Sequence, residues 1–204
     1  MATVVIGGHS RSVGKTSVVA GLIAALPQYN WTAFKITQYG HGICSRNGGP
    51  CDCACADHSW AVSEERDRSG ESDTSRFLVA GAVRSWWVRT EQGRLAEAIP
   101  LVREKIAQAS NAIIESNSVM EFLKPDVYLT VLDTGTTDFK KSARKFLQHA
   151  DALVVHSQDE KDPAWSNVSA EMIKGKPRFV ICPPGYVTGQ IVEFVRARLL
   201  VRIT

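Results

Sequence analysis

The residues best equipped for chemistry occupy positions 8–17, Gly-His-Ser-Arg-Ser-Val-Gly-Lys-Thr-Ser. They stand between a short β-branched run, residues 3–6, and an apolar stripe of Val19, Ile23 and Leu26 with Val18 and Leu22 beside it. A glycine-rich turn that leaves a strand and opens a helix presents successive backbone N–H groups to an anion, and the helix N-terminus adds partial positive charge. In that turn Lys15 has the reach to meet β- and γ-phosphates, and Thr16 supplies a hydroxyl suited to Mg²⁺. Gly8, His9, Ser10, Arg11, Ser12, Val13, Gly14 and Ser17 complete the expected nucleotide-contacting set. Of these, His9 and Arg11 carry the side chains placed to lie near phosphate. The ligand that fits this chemistry is ATP or GTP with Mg²⁺, and charge neutralisation by Lys15, Thr16 and the loop amides is the expected catalytic device.

A hard cation bound to phosphates needs one or two protein carboxylates. Two candidates end apolar, strand-like runs: Glu115 after Ala112-Ile113-Ile114, and Asp133 after residues 128–132. Both compete for Mg²⁺, with Glu115 the favoured ligand. Asp159, in His156-Ser157-Gln158-Asp159, has the offset at which GTPases place the guanine-binding aspartate of Asn-Lys-x-Asp. The asparagine and lysine are replaced here, so adenine and guanine both stay open.

Four of the five cysteines crowd one segment: Cys44, Cys51, Cys53 and Cys55, with His58 following and His41 before. In a reducing compartment such a cluster favours metal or thiol chemistry over disulfides. Zn²⁺ takes four thiolate or imidazole ligands in a tetrahedron, so Cys44, Cys51, Cys53, Cys55 and His58 are candidate ligands for zinc or an iron–sulfur cluster. Their spacing matches no standard finger, and a thiol-rich loop without metal is the alternative. Cys182, before Pro183-Pro184, reads as a small buried residue near the base pocket.

These residues must be positioned by regular elements. Strands are expected at 3–6, 31–36, 85–88, 111–115, 127–133, 152–156 and 178–182. Helices are expected at 16–26, 74–81, 94–109, 138–149 and 188–199, with Pro100 kinking the third or marking a second start and Asp138 capping the fourth. Strands alternating with helices imply an α/β fold with a mostly parallel central sheet, which binds ligands beyond the carboxyl ends of its strands. Residues 40–72 show no apolar period, and are read as a Cys-rich insertion or flexible loop within one nucleotide-binding domain spanning 1–204.

At 204 residues, 44% hydrophobic and 22% charged, the composition is that of an ordinary globular domain. A net charge of +3 gives no reason to expect nucleic acid or membrane as a partner. Met1-Ala2 runs into residues 3–6 without a charged leader or cleavage site, so a cytoplasmic protein is expected.

The loop as a whole, Gly8-x-x-x-x-Val13-Gly14-Lys15-Thr16, resembles that of dethiobiotin synthetases, where the first glycine is set back in the same way. Asp73-Thr74-Ser75-Arg76 followed by Ala80-Gly81-Ala82 resembles a stretch of the MobB-type proteins of molybdopterin-guanine dinucleotide synthesis. Lys35 sits where those proteins carry a lysine, and Glu115 resembles their Mg²⁺-holding glutamate. The resemblance implies a three-layer P-loop NTPase fold, weak NTPase activity and a role in cofactor biosynthesis, commonly as a homodimer. Two rivals stand beside it. An ATP-dependent ligase or small-molecule kinase would use Lys35 and Arg84 toward a small-molecule or protein acceptor. A nucleotide-switched metallochaperone, in the manner of nickel-insertion GTPases, would use the cysteines.

Overall fold

The computed structural model describes residues 1–39, 59–156 and 168–200. Among these, eight strands form one sheet in the order β3-β4-β2-β5-β1-β6-β7-β8. The strands are β1 (Thr3–Gly8), β2 (Trp31–Tyr39), β3 (Trp60–Glu64), β4 (Arg84–Glu91), β5 (Asn111–Glu115), β6 (Val127–Asp133), β7 (Ala152–His156) and β8 (Arg178–Ile181). Every pairing is parallel except that of β3 with β4. Five helices accompany them: α1 (Lys15–Ala25), α2 (Asp73–Val79), α3 (Leu95–Ala107), α4 (Lys141–Leu147) and α5 (Gly189–Leu200).

The period of two along each strand divides the core into two layers. Val4, Ile6, Ile113 and Leu129 meet Val18, Leu22 and Ile23 of α1, Phe77 of α2 and Ile191 and Val195 of α5. Val5, Phe34, Ile114 and Leu132 meet Ile99 and Val102 of α3 and Phe146 and Leu147 of α4 on the other face. The result is helix, sheet, helix: a three-layer α/β fold. Each fully buried Val, Leu or Ile in these layers contributes about 1.5–3 kcal/mol. No helix among the described residues is long and apolar enough to cross a membrane.

Because β1 lies inside the sheet, its carboxyl end emerges between those of β5 and β6. Register puts Ile6 beside Glu115 and Gly8 beside Val131, while Lys35 of β2 pairs with Glu115 from the other side. Glu115, Lys35 and the start of the glycine-rich loop at 8–17 are thereby brought to one place by backbone pairing alone.

Four expectations are corrected. The stretch 40–72 contains β3, whose Trp60 and Val62 pack on the α3 face beside Trp86 and Val88. Five residues in a polar setting gave too short an alternation to recognise. Asp138 does not cap a helix: α4 begins at Lys141 with Lys140 as its N-cap residue. No second helix starts at Pro100: α3 runs through it as one helix, forgoing one intrahelical N–H bond. Cys182 is exposed rather than buried.

Candidate functional site

The glycine-rich loop begins where β1 has no room for a side chain. A Cβ on Gly8 would lie 2.8 Å from Lys15 Cγ and 2.9 Å from Val13 Cγ2, so the loop folds directly over this residue. Asn117, just past β5, clamps the same peptide: its Oδ1 accepts the Gly8 N–H at 2.9 Å and its Nδ2 donates to the Gly8 carbonyl at 2.8 Å. At the far end of the loop Gly14 has φ 85°, the left-handed region that favours glycine, and its α-carbon lies against the Tyr186 ring. His156, at the end of β7, donates from Nε2 to the Val13 carbonyl at 2.9 Å.

No side chain caps α1. The N–H groups of its first turn have no intrahelical acceptors, as in any α-helix, and a helix N-terminus without a side-chain cap suits an anion such as phosphate. Lys15 Nζ folds back to the Ser10 carbonyl at 2.6 Å. Burial pushes its ammonium down to about 8, with Lys140 and Lys35 adding to the depression against the opposing pull of Glu115. A bound polyanion would reverse that shift.

Beside the loop runs a chain of paired charges. Thr16 donates its hydroxyl to Glu115 Oε2 at 2.8 Å, and the other carboxylate oxygen holds the Lys35 ammonium. Lys35 also meets Asp73 Oδ2 at 2.8 Å, from the first turn of α2. Burial works against the Lys35 charge, yet the Glu115 and Asp73 carboxylates prevail and raise its pKa above the usual lysine value. Arg76, on α2, donates to the Ser17 hydroxyl at 3.0 Å and so ties that helix to α1. Glu115 is 3% exposed. A threonine hydroxyl and a strand-end carboxylate in contact form the hard-oxygen pair that Mg²⁺ takes beside nucleotide phosphates, so these residues fit the cation.

Asp133 is engaged elsewhere. Its Oδ1 accepts the Gly135 N–H and its Oδ2 the Thr136 hydroxyl, both at 2.9 Å, closing the turn after β6. The structure brings Glu115, not Asp133, to Thr16. Arg84 opens β4 on the α3 face, where it donates to Glu64 at 2.6 Å and lies 4.8 Å above the Trp86 ring. Lys35 faces α1 and α2, so the sheet separates the two residues. Asp159, Cys44, Cys51, Cys53, Cys55 and His58 lie outside the described residues, within which no cluster of three or more His, Cys, Asp or Glu side chains could hold a metal.

His9 is buried beneath the loop. Its Nε2 donates to the Thr136 carbonyl at 3.2 Å and its Nδ1 faces the Asp133 N–H at 3.4 Å, an arrangement that suits the neutral ring. Burial lowers its pKa, outweighing the two backbone carbonyls and Asp133 that favour the cation. The unfolded chain therefore binds the proton more readily, and stability is lost as pH falls from about 6.5 toward the folded-state value. Thermal unfolding between pH 7 and pH 5 should show this loss, and His9→Gln should flatten the slope. An unchanged slope in the variant would count against His9 as the titrating group.

No family model matches the sequence, and no curated protein matches it significantly. Among solved structures the chain is similar to LpxK from Aquifex aeolicus in complex with ATP, at 17% identity over 88% of this chain and 53% of that one, with a TM-score of 0.50. It thus spans about half the length of that protein. It is also similar to HypB from Helicobacter pylori in complex with nickel, at 14% identity over 98% and 86% of the two chains, with a TM-score of 0.47. FlhF complexed with GMPPNP and Mg²⁺ has 15% identity over 97% and 73%, with a TM-score of 0.49. At such identities the likeness concerns the fold alone, the three-layer α/β architecture described above.

Proposed function

We propose that this chain binds ATP or GTP with Mg²⁺ and hydrolyses it slowly, or passes the γ-phosphoryl group to an acceptor. The observation that carries this reading is the contact between Thr16 and Glu115 at the head of an uncapped α1, directly beside Lys15. Hydroxyl, carboxylate, ammonium and free N–H groups converge there, and a triphosphate with its cation satisfies all four.

In this reading the triphosphate lies in the nest of loop amides from Ser12 to Thr16, with Lys15 released from the Ser10 carbonyl to meet its β- and γ-oxygens. Thr16 and Glu115 hold Mg²⁺, which when bound supplies positive charge to the phosphate oxygens. Lys35 neutralises Glu115 and Asp73 and so fixes the carboxylate in place. Asn117 and His156 hold the two ends of the loop at the spacing the phosphates require. The resemblance of Asp73-Thr74-Ser75-Arg76 to a stretch of the MobB-type proteins extends this reading to a role in cofactor biosynthesis. Phosphate release from ATP and from GTP, measured with Mg²⁺ and again with excess EDTA, tests the activity. Mg²⁺-dependent release from one or both nucleotides is expected; release indifferent to EDTA would refute it.

A second reading concerns the cysteines. The chain leaves β2 at Tyr39 and re-enters the sheet at β3, so the segment bearing Cys44, Cys51, Cys53 and Cys55 connects directly to the strand that carries Lys35. A thiolate-bound zinc or iron on that segment would be adjacent in sequence to the nucleotide site. Elemental analysis of anaerobically purified protein should give about one metal per chain, lost in the triple serine variant of Cys51, Cys53 and Cys55. Metal-free protein that binds nucleotide would remove this reading and leave the first intact.

A further inference from the structure

The segment between β6 and α4 turns back onto the phosphate loop. The Thr136 carbonyl lies 3.2 Å from His9 Nε2, and Asp138 Oδ2 accepts the Ser10 hydroxyl at 2.9 Å. The Phe139 ring packs 5.2 Å from the His9 ring, and the Lys140 N–H donates to the His9 carbonyl at 2.8 Å. Side chain and backbone thus stitch 136–140 along the first residues of the loop, and the last stitch fixes the backbone of Lys140 beside His9.

The Lys140 side chain is half-buried there and makes no salt bridge among the described residues. The nearby charges that act on it are Arg11, Asp138, Lys35 and Glu115, and it acts in turn on Lys15. Glu115 and Lys35 mark the cation end of the site, and Lys15 the β- and γ-phosphates. Asp138, the nearest acid on its own segment, is already engaged by Ser10. A half-buried ammonium among three other cations is electrostatically costly unless an anion arrives.

We propose that Lys140 is a third lysine of the triphosphate site and binds the terminal phosphoryl group, so that the 136–140 strap distinguishes a nucleoside triphosphate from a diphosphate. The inference rests on the nucleotide reading above and deepens it. Lys15 and the loop amides serve the phosphates that both nucleotides share. Lys140 serves the one that only the triphosphate has. Because its own N–H, not its side chain, anchors the strap, changing the side chain leaves the anchoring bond in place.

The test is calorimetric titration of the full chain, with Mg²⁺, using ATPγS, GTPγS, ADP and GDP as probes. In Lys140→Met the triphosphate analogue should bind about tenfold more weakly and the diphosphate within about twofold of wild type. Lys140→Arg should recover most of the loss. Equal weakening of both classes would reveal a structural role for Lys140 and overturn the inference, as would no weakening of either. Wild-type protein that binds none of the four probes would instead overturn the nucleotide reading on which this inference depends.

Discussion

Lys15→Met is expected to lower nucleotide turnover by about 100-fold or more and to cost the empty protein nothing in stability. The two halves of this expectation have different origins. Lys15 Cγ and Cδ pack against the Gly8 backbone, and methionine keeps comparable aliphatic bulk in that contact. What it removes is an ammonium that burial pushes down to about 8 in the empty site. A charge whose folded-state pKa lies below its unfolded value is a burden on the fold at neutral pH, so its loss should leave Tm equal or higher. With a triphosphate present the same charge meets β- and γ-oxygens in a partly desolvated cleft, where it is worth several kcal/mol. Parallel measurements of Tm and phosphate release check this. Turnover within a few fold of wild type would remove Lys15 from the chemistry; a large fall in Tm would mean that the lysine serves the fold.

Glu115→Gln is expected to do the reverse in part, harming both fold and function. The carboxylate is buried, accepts from Thr16 and holds Lys35. An amide keeps the shape and an acceptor for the threonine, but leaves Lys35 with Asp73 as its remaining carboxylate partner. Breaking a buried ion pair by altering one member costs about 3–5 kcal/mol; with Asp73 still in contact, about 2 kcal/mol is expected. The Mg²⁺ concentration for half-maximal turnover should rise about tenfold, because a hard cation loses the strand-end carboxylate that meets Thr16. Denaturant unfolding and a Mg²⁺ titration of activity measure the two effects separately. Loss of stability without a change in Mg²⁺ dependence would assign Glu115 to Lys35 alone.

Much of this site could be read from the chain because it is local. The residues 8–17 are contiguous, and the strand before them and helix after them follow from apolar periodicity alone. Glu115 was legible for a related reason: an acid that ends a buried parallel strand must project at the edge where such sheets bind ligands. Asp133 satisfied the same rule and is consumed by its own turn, a difference decided by Gly135 and Thr136 rather than by anything in the strand. Asp73 was legible only through resemblance, since its partner Lys35 lies far away in sequence and meets it through α2 packing on the sheet. Asn117 could have been suspected, as a polar residue two positions beyond Glu115 at that same edge. Lys140 gave no such signal. Its place depends on a strap that folds back onto His9 and Ser10, and on α4 starting at Lys141, later than the amphipathic pattern suggests.

The central claim is that the contact of Thr16 with Glu115, beside Lys15, is a Mg²⁺–triphosphate site. Calorimetric titration of the full chain with ATP and with GTP, each with Mg²⁺ and with EDTA, tests it most directly. One or both nucleotides should bind at about one per chain with a Kd on the order of micromolar, weakening about tenfold or more when Mg²⁺ is removed. No binding of either nucleotide at millimolar concentration with Mg²⁺ present would contradict the account.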